Sequence, residues 1–105
     1  MRSWHPLRKR NDFQRLYREG TRFRSPLLTL VLRAEPQAGD WRAATVCSKK
    51  VGGAVMRNLL DGVTWREGTS GDLALICKPD LAEASFAEMA RHVRRLVARA
   101  GLEEG

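Results

Sequence analysis

CSKKVGGAVMRN, Cys47–Asn58, changes character within twelve residues. It starts as the end of an apolar run (Ala43–Cys47) and turns through two adjacent lysines, Lys49 and Lys50. It then passes Gly52 and Gly53 and enters AVMRN, which can begin a helix displaying Arg57 beside Asn58. The order is strand end, basic corner and short cationic helix, with no acid in the whole stretch. Such a surface suits a polyanion, because concentrated positive charge attracts phosphate backbones.

Charge along the chain agrees with that reading. Residues 1–58 carry 13 Lys/Arg against 4 Asp/Glu, a balance of +9, whereas residues 59–105 carry 6 against 8, a balance of −2. A uniformly solubilising surface needs no such asymmetry. Membrane-surface binding is disfavoured, since the cations do not share one long helix with a bulky apolar face. No apolar run approaches the roughly 20 residues of a bilayer span. The basic N-terminus lacks the apolar segment of a secretory signal. Cys47 and Cys77 both sit in apolar runs, so a reduced, cytoplasmic setting is expected, with Cys47 read as a small buried hydrophobe.

Upstream, Met1–Arg10 reads as an extended basic arm, with Pro6 opposing an early helix. Asn11 or Asp12 is placed to cap a helix over Phe13–Glu19, which Gly20 ends. Phe13, Leu16 and Tyr17 share a face at i, i+3 and i+4, flanked by Arg15 and Arg18. That stripe could pack into a core or offer rings for unpaired bases to stack on, and the residues leave both open. Thr21–Pro26 reads as a basic connection. Leu27–Leu32 (LLTLVL) reads as a strand buried on both faces, and Ala34–Asp40 as a loop. Trp41–Cys47 then reads as a returning strand that should pair antiparallel with Leu27–Leu32.

Downstream, Ala54–Leu60 fits two helical turns, stopped by Asp61-Gly62. Val63–Gly71 is expected as loop with Trp65 folded back onto the core, and Leu73–Cys77 as a short strand. Ser85 and Glu88 have capping-box spacing. Phe86, Met89, Ala90, Val93, Leu96, Val97 and Ala100 form the apolar stripe of a final helix, with Arg91, Arg94, Arg95 and Arg99 outside. These elements predict one α+β domain over residues 1–105, a two-layer sandwich in which helices cover one face of a small mixed sheet.

The catalytic inventory is thin. His5 and His92 are isolated, and no Cys/His spacing matches a zinc site. Gly52-Gly53 follows its lysines, the reverse of a P-loop. No catalytic residue and no metal ligand is assigned. The chain reads as one that holds nucleic acid while another component reacts.

The helix segment KRNDFQRLYREG, the strand LLTLVL, the string SKKVGGAVMRN and the closing GDLALICKP…SFAE together resemble the protein subunit of bacterial ribonuclease P. The resemblance implies a fold like the left-handed βαβ domain of a ribosomal protein. It also implies two partners, a catalytic RNA subunit and precursor tRNA, with magnesium used by the RNA and no cofactor in the protein. On this resemblance the protein assists endonucleolytic 5′ maturation by holding the 5′ leader. Phe13, Tyr17, Val31, Lys49 and Lys50 match the leader cleft, and Arg57 and Asn58 match the start of the helix that docks the catalytic RNA. Arg8, Lys9, Arg10, Arg15 and Arg18 are expected to meet RNA backbone more generally.

One departure is plain. The family's signature continues RN with further basic residues on a long helix, whereas here Leu59, Leu60, Asp61 and Gly62 follow. The crossover over residues 59–71 is accordingly expected to be short. A non-enzymatic RNA-binding or ribosome-associated module stays open beside the main reading, as does a degenerate member that no longer docks the catalytic RNA.

Overall fold

The computed structural model describes residues 4–47 and 53–102. Its strands are β1 (Trp4–Pro6), β2 (Thr21–Arg24), β3 (Leu28–Ala34), β4 (Trp41–Val46) and β5 (Gly71–Cys77). Its α-helices are α1 (Arg10–Glu19), α2 (Gly53–Asp61) and α3 (Phe86–Arg99). The strands form one mixed sheet in the order β1-β4-β5-β3-β2, parallel on the β1-β4-β5 side and antiparallel on the β5-β3-β2 side. This is the expected α+β class. α2 connects the parallel neighbours β4 and β5 as a β-α-β unit.

Strand alternation gives the sheet two apolar faces. Leu28 and Leu30 of β3, Ala43 of β4, and Leu73 and Leu75 of β5 point into the larger core, where Met56 and Leu60 of α2 meet Met89, Val93, Leu96 and Val97 of α3. Val31 and Ala74 point the other way, onto Leu7 and Leu16, with Phe13 and Tyr17 packed around them. α1 therefore lies across the sheet from α2 and α3. The expectation of helices on one face is corrected: because β3 and β5 are apolar at both alternations, the second face also needs a cover, and Leu16 supplies it.

The predicted β3–β4 hairpin does not form, because β5 lies between the two strands. Their connection holds a 3-10 turn, Pro36–Ala38, and arches over the start of β5, where Glu35 N–H donates to Ser70 O at 2.8 Å. The crossover through α2 brings β5 back beside β4, and β5 takes the place that the short loop pointed to for β3.

The N-terminal segment is no free arm. Trp4 pairs with Trp41 and Pro6 with Ala43, both Trp4 and Leu7 are buried, and Leu7 N–H extends the ladder to Ala43 O at 2.8 Å. Nor is Thr21–Pro26 a mere connection, since Thr21–Arg24 forms the edge strand on β3. α1 starts at Arg10 with Lys9 at its N-cap, so neither Asn11 nor Asp12 caps it. Gly20 does follow the helix, but its φ of −75° is ordinary. Its need is proximity: a Cβ there would stand 2.4 Å from Leu16 O and 2.9 Å from Val31 Cγ1. Ser85 Oγ accepts from Glu88 N–H at 3.1 Å, so that cap stands as read. Trp65 stacks on Trp41 with ring centroids 5.6 Å apart.

The β4–β5 register ends at Val46 opposite Ile76, and the next residues are Cys47 and Cys77. Burial pushes the Cys77 thiol well up, and its hydrogen bond with Cys47 adds to this. Because the thiolate is the reactive species, Cys77 is expected to be alkylated roughly tenfold or more slowly in the native protein than in urea at pH 8. Peptide mass analysis over a labelling time course checks this, and equal rates would contradict the burial.

Candidate nucleic-acid interface

β1 covers only the first part of β4. Beyond Leu7 the chain turns away through Arg8 and Lys9 into α1, leaving Ala44 and Thr45 without a strand neighbour on that edge among the described residues. The gap is a cleft of about 440 Å³. Phe13 and Arg8 stand on one side and Arg57 of α2 on the other, with Leu7, Ala44 and Thr45 between. No acid lines it. α2 is tied to β1 by the Trp4 indole N–H, which donates to Asp61 Oδ1 at 2.9 Å. The acid that departs from the basic signature thus holds the far wall of the cleft.

Phe13 and Tyr17 sit one helical turn apart, with ring centroids 6.1 Å apart and tilted by 39°. Both are half-buried against Val31, Ala74, Ala44 and Ile76, so each ring is fixed by packing while part of it meets solvent. Alternation places Val46 on the same face as Ala44, and Val46 is 44% exposed. It extends the apolar floor beside the rings. Its neighbours in sequence carry no special signal, so only the sheet's register discloses it.

The cationic residues divide into engaged and available. Arg42, which the sequence reading did not select, makes hydrogen bonds to Asp72 at 2.8 and 3.1 Å and to Asp12 at 3.0 Å. Its hydrogen bonds to Asp72 are the main cause of its raised pKa. Arg15 pairs with Asp12 at 3.2 Å and with Asp72 at 3.8 Å. This network joins α1 to β4 and β5. Arg18 pairs with Glu19, whose carboxyl is held below its usual range by hydrogen bonds from Arg33 and Arg18. Arg15 is therefore tied into the fold by two acids, whereas Arg18 stays at the surface, its side chain 72% exposed beside Glu19. Arg8, Lys9 and Arg10 are exposed around the N-terminal end of α1, and none has an ion pair among the described residues.

Val31 is fully buried under Leu16 and Gly20. It supports the floor from beneath and cannot touch a ligand, a second correction. Lys49 and Lys50 lie outside the described residues. Arg57 and Asn58 are both exposed but serve different recesses, Arg57 the cleft and Asn58 a hollow on the other side of α2. α2 itself runs nine residues and holds a single arginine.

These features define a small α+β protein with an aromatic-walled, cationic cleft at a sheet edge. The sequence profile of the family described as ribonuclease P matches residues 1–61. The ribonuclease P protein component of Bacillus velezensis is 24% identical over 110 residues, covering 97% of this chain and 94% of that protein. The Staphylococcus aureus RNase P protein superposes with a TM-score of 0.74 at 17% identity, over 95% of this chain and 98% of that one. The Thermotoga maritima RNase P protein gives 0.70 at 22% identity, over 96% and 99%. The two structural likenesses carry the fold. The chain belongs to the ribonuclease P family, as a protein component of that enzyme. Membership places it in tRNA processing and implies an RNA partner. Among the described residues no helix is long and apolar enough to cross a membrane.

Proposed function

We propose that this protein holds the unpaired 5′ leader of precursor tRNA in the cleft beside α1 and presents it to a catalytic RNA, which performs the cleavage. The observation that carries this reading is the pairing of Phe13 with Arg8 and Arg57 around an opening that no acid among the described residues lines. A half-exposed ring offers a stacking surface to any base, and guanidinium groups on either side suit the phosphates of a flexible strand.

Helix electrostatics support the same reading. Arg8, Lys9 and Arg10 cluster at the positive end of α1, where each cation opposes the helix dipole by about 0.3–1 kcal/mol. Asp12 in the first turn offsets only part of this. The fold gains nothing from such a cluster, whereas an anionic ligand does. Magnesium in this reading belongs to the RNA.

Reconstitution with a bacterial ribonuclease P catalytic RNA tests the proposal. Leader removal at low magnesium should accelerate when the protein is added, and kinetics identical to the RNA alone would overturn it. Within that assay, Phe13→Ala is expected to weaken binding of leader-bearing substrate by about 1–3 kcal/mol, leaving leaderless tRNA unaffected. Arg57→Gln is expected to lower the slope of log affinity against log salt by about one phosphate contact. The nine-residue α2 favours a second reading, a member that binds RNA without docking the catalytic RNA. That protein would bind the leader and leave cleavage unchanged.

A further inference from the structure

Helix geometry turns successive residues by about 100°, so Arg57 and Asn58 face different sides of α2. On the Asn58 side lies a hollow of about 210 Å³ between α2 and α3. Its floor is apolar, with Leu59 half-buried and Val63 and Val93 buried. Its rim holds Asn58, Phe86 and Arg94, and no acid among the described residues lines it. Phe86 is 58% exposed at the first position of α3.

The hollow is smaller than the roughly 300–1,000 Å³ of sites for drug-sized ligands, so it admits one planar group and not a whole small molecule. The rim combines an open aromatic face, an amide that both donates and accepts, and an exposed guanidinium. Those are the groups by which an unstacked nucleobase is stacked and hydrogen-bonded. Next to it α3 exposes Arg91 and Arg95, whereas Arg99, about 20 Å along the helix from Phe86, bonds the carbonyl of Arg24 at 2.8 Å. None of Arg91, Arg94, Arg95 and Arg99 pairs with an acid among the described residues, in contrast to Arg15, Arg18, Arg33 and Arg42. Phosphates flanking an inserted base would meet this stripe.

We infer that the hollow between α2 and α3 receives a single unpaired nucleotide of the catalytic RNA, with Phe86 stacking on its base and the α3 arginines holding the adjoining phosphates. The inference rests on the proposed function and adds a second RNA contact. α2 separates this hollow from the leader cleft, which is why the occupant is assigned to the catalytic RNA and not to the leader. A surface of this kind also supplies the positive charge that α2, with its one arginine, does not.

The test measures equilibrium binding of the protein to a bacterial ribonuclease P catalytic RNA alone, and of the reconstituted holoenzyme to precursor tRNA with and without its leader. Phe86→Ala should weaken binding to the catalytic RNA roughly 5- to 150-fold with an unchanged salt slope, since stacking releases no counterions. Phe86→Tyr should restore it, and Asn58→Ala should weaken it without altering the salt slope. The exposed Phe86 site makes Phe86→Ala neutral for folding, because alanine is the better helix former. The inference is overturned if Phe86→Ala binds the catalytic RNA as tightly as the parent. It is also overturned if its defect appears only with leader-bearing substrate, which would give the hollow to the leader. A parent protein that binds neither RNA would sink the proposed function itself. A parent that binds both, with Phe86→Ala indifferent, sinks this inference alone.

Discussion

Leu16→Ala is expected to lower the unfolding free energy by about 2–5 kcal/mol, the range for deleting a buried leucine side chain. Leu16 is fully buried and is the residue through which α1 grips Val31 and Ala74. The second apolar cluster is small, so little else on that face can collapse into the space. The upper half of the range therefore applies. The loss should reach function, because Phe13 and Tyr17 are positioned only as long as α1 stays seated. Denaturant unfolding gives the stability change, and leader affinity measured well below the midpoint gives the functional one. Unchanged stability would mean that α1 is held by the Asp12–Arg42–Asp72 network and not by packing.

Gly71→Ala is expected to cost about 3–5 kcal/mol, combining backbone strain with overpacking. Gly71 has a φ of +147°, which side-chain-bearing residues rarely adopt. A Cβ there would stand 2.2 Å from Arg33 O, 2.8 Å from Glu35 N and 3.0 Å from Ala34 Cα. All three are backbone atoms, so no rotamer change relieves the clash. The β3–β4 connection crosses β5 at this point, and separating them would disturb the register that sets Asp72 opposite Arg42 and Arg33. Thermal unfolding of the variant is the measurement. A midpoint equal to the parent's would show that the connection does not lie over the strand as described.

In RNA processing terms, the stability and binding predictions separate cleanly. Phe13 and Phe86 present partly open rings, so their loss should change affinity while the fold persists. Leu16 and Gly71 touch no solvent-facing recess, so their loss should act on the fold first.

Much of this protein is legible in its residues. The α3 stripe from Met89 to Val97, its Ser85 cap, and the apolar β3 and β5 follow from local periodicity and capping chemistry, which neighbours in sequence decide. The basic first half and the two rings of α1 are equally local, and they sufficed to direct attention to RNA. The strand order was not legible, because a short β3–β4 loop favours a hairpin and only the parallel return of β5 excludes it. The strand role of Trp4–Pro6 was hidden for a similar reason: a three-residue strand has no period, and only its partner Trp41–Ala43 defines it. The division of the arginines was decided in three dimensions as well. Arg15, Arg42 and Asp72 are far apart in the chain, and a charge's availability depends on which acids the sheet register brings within reach.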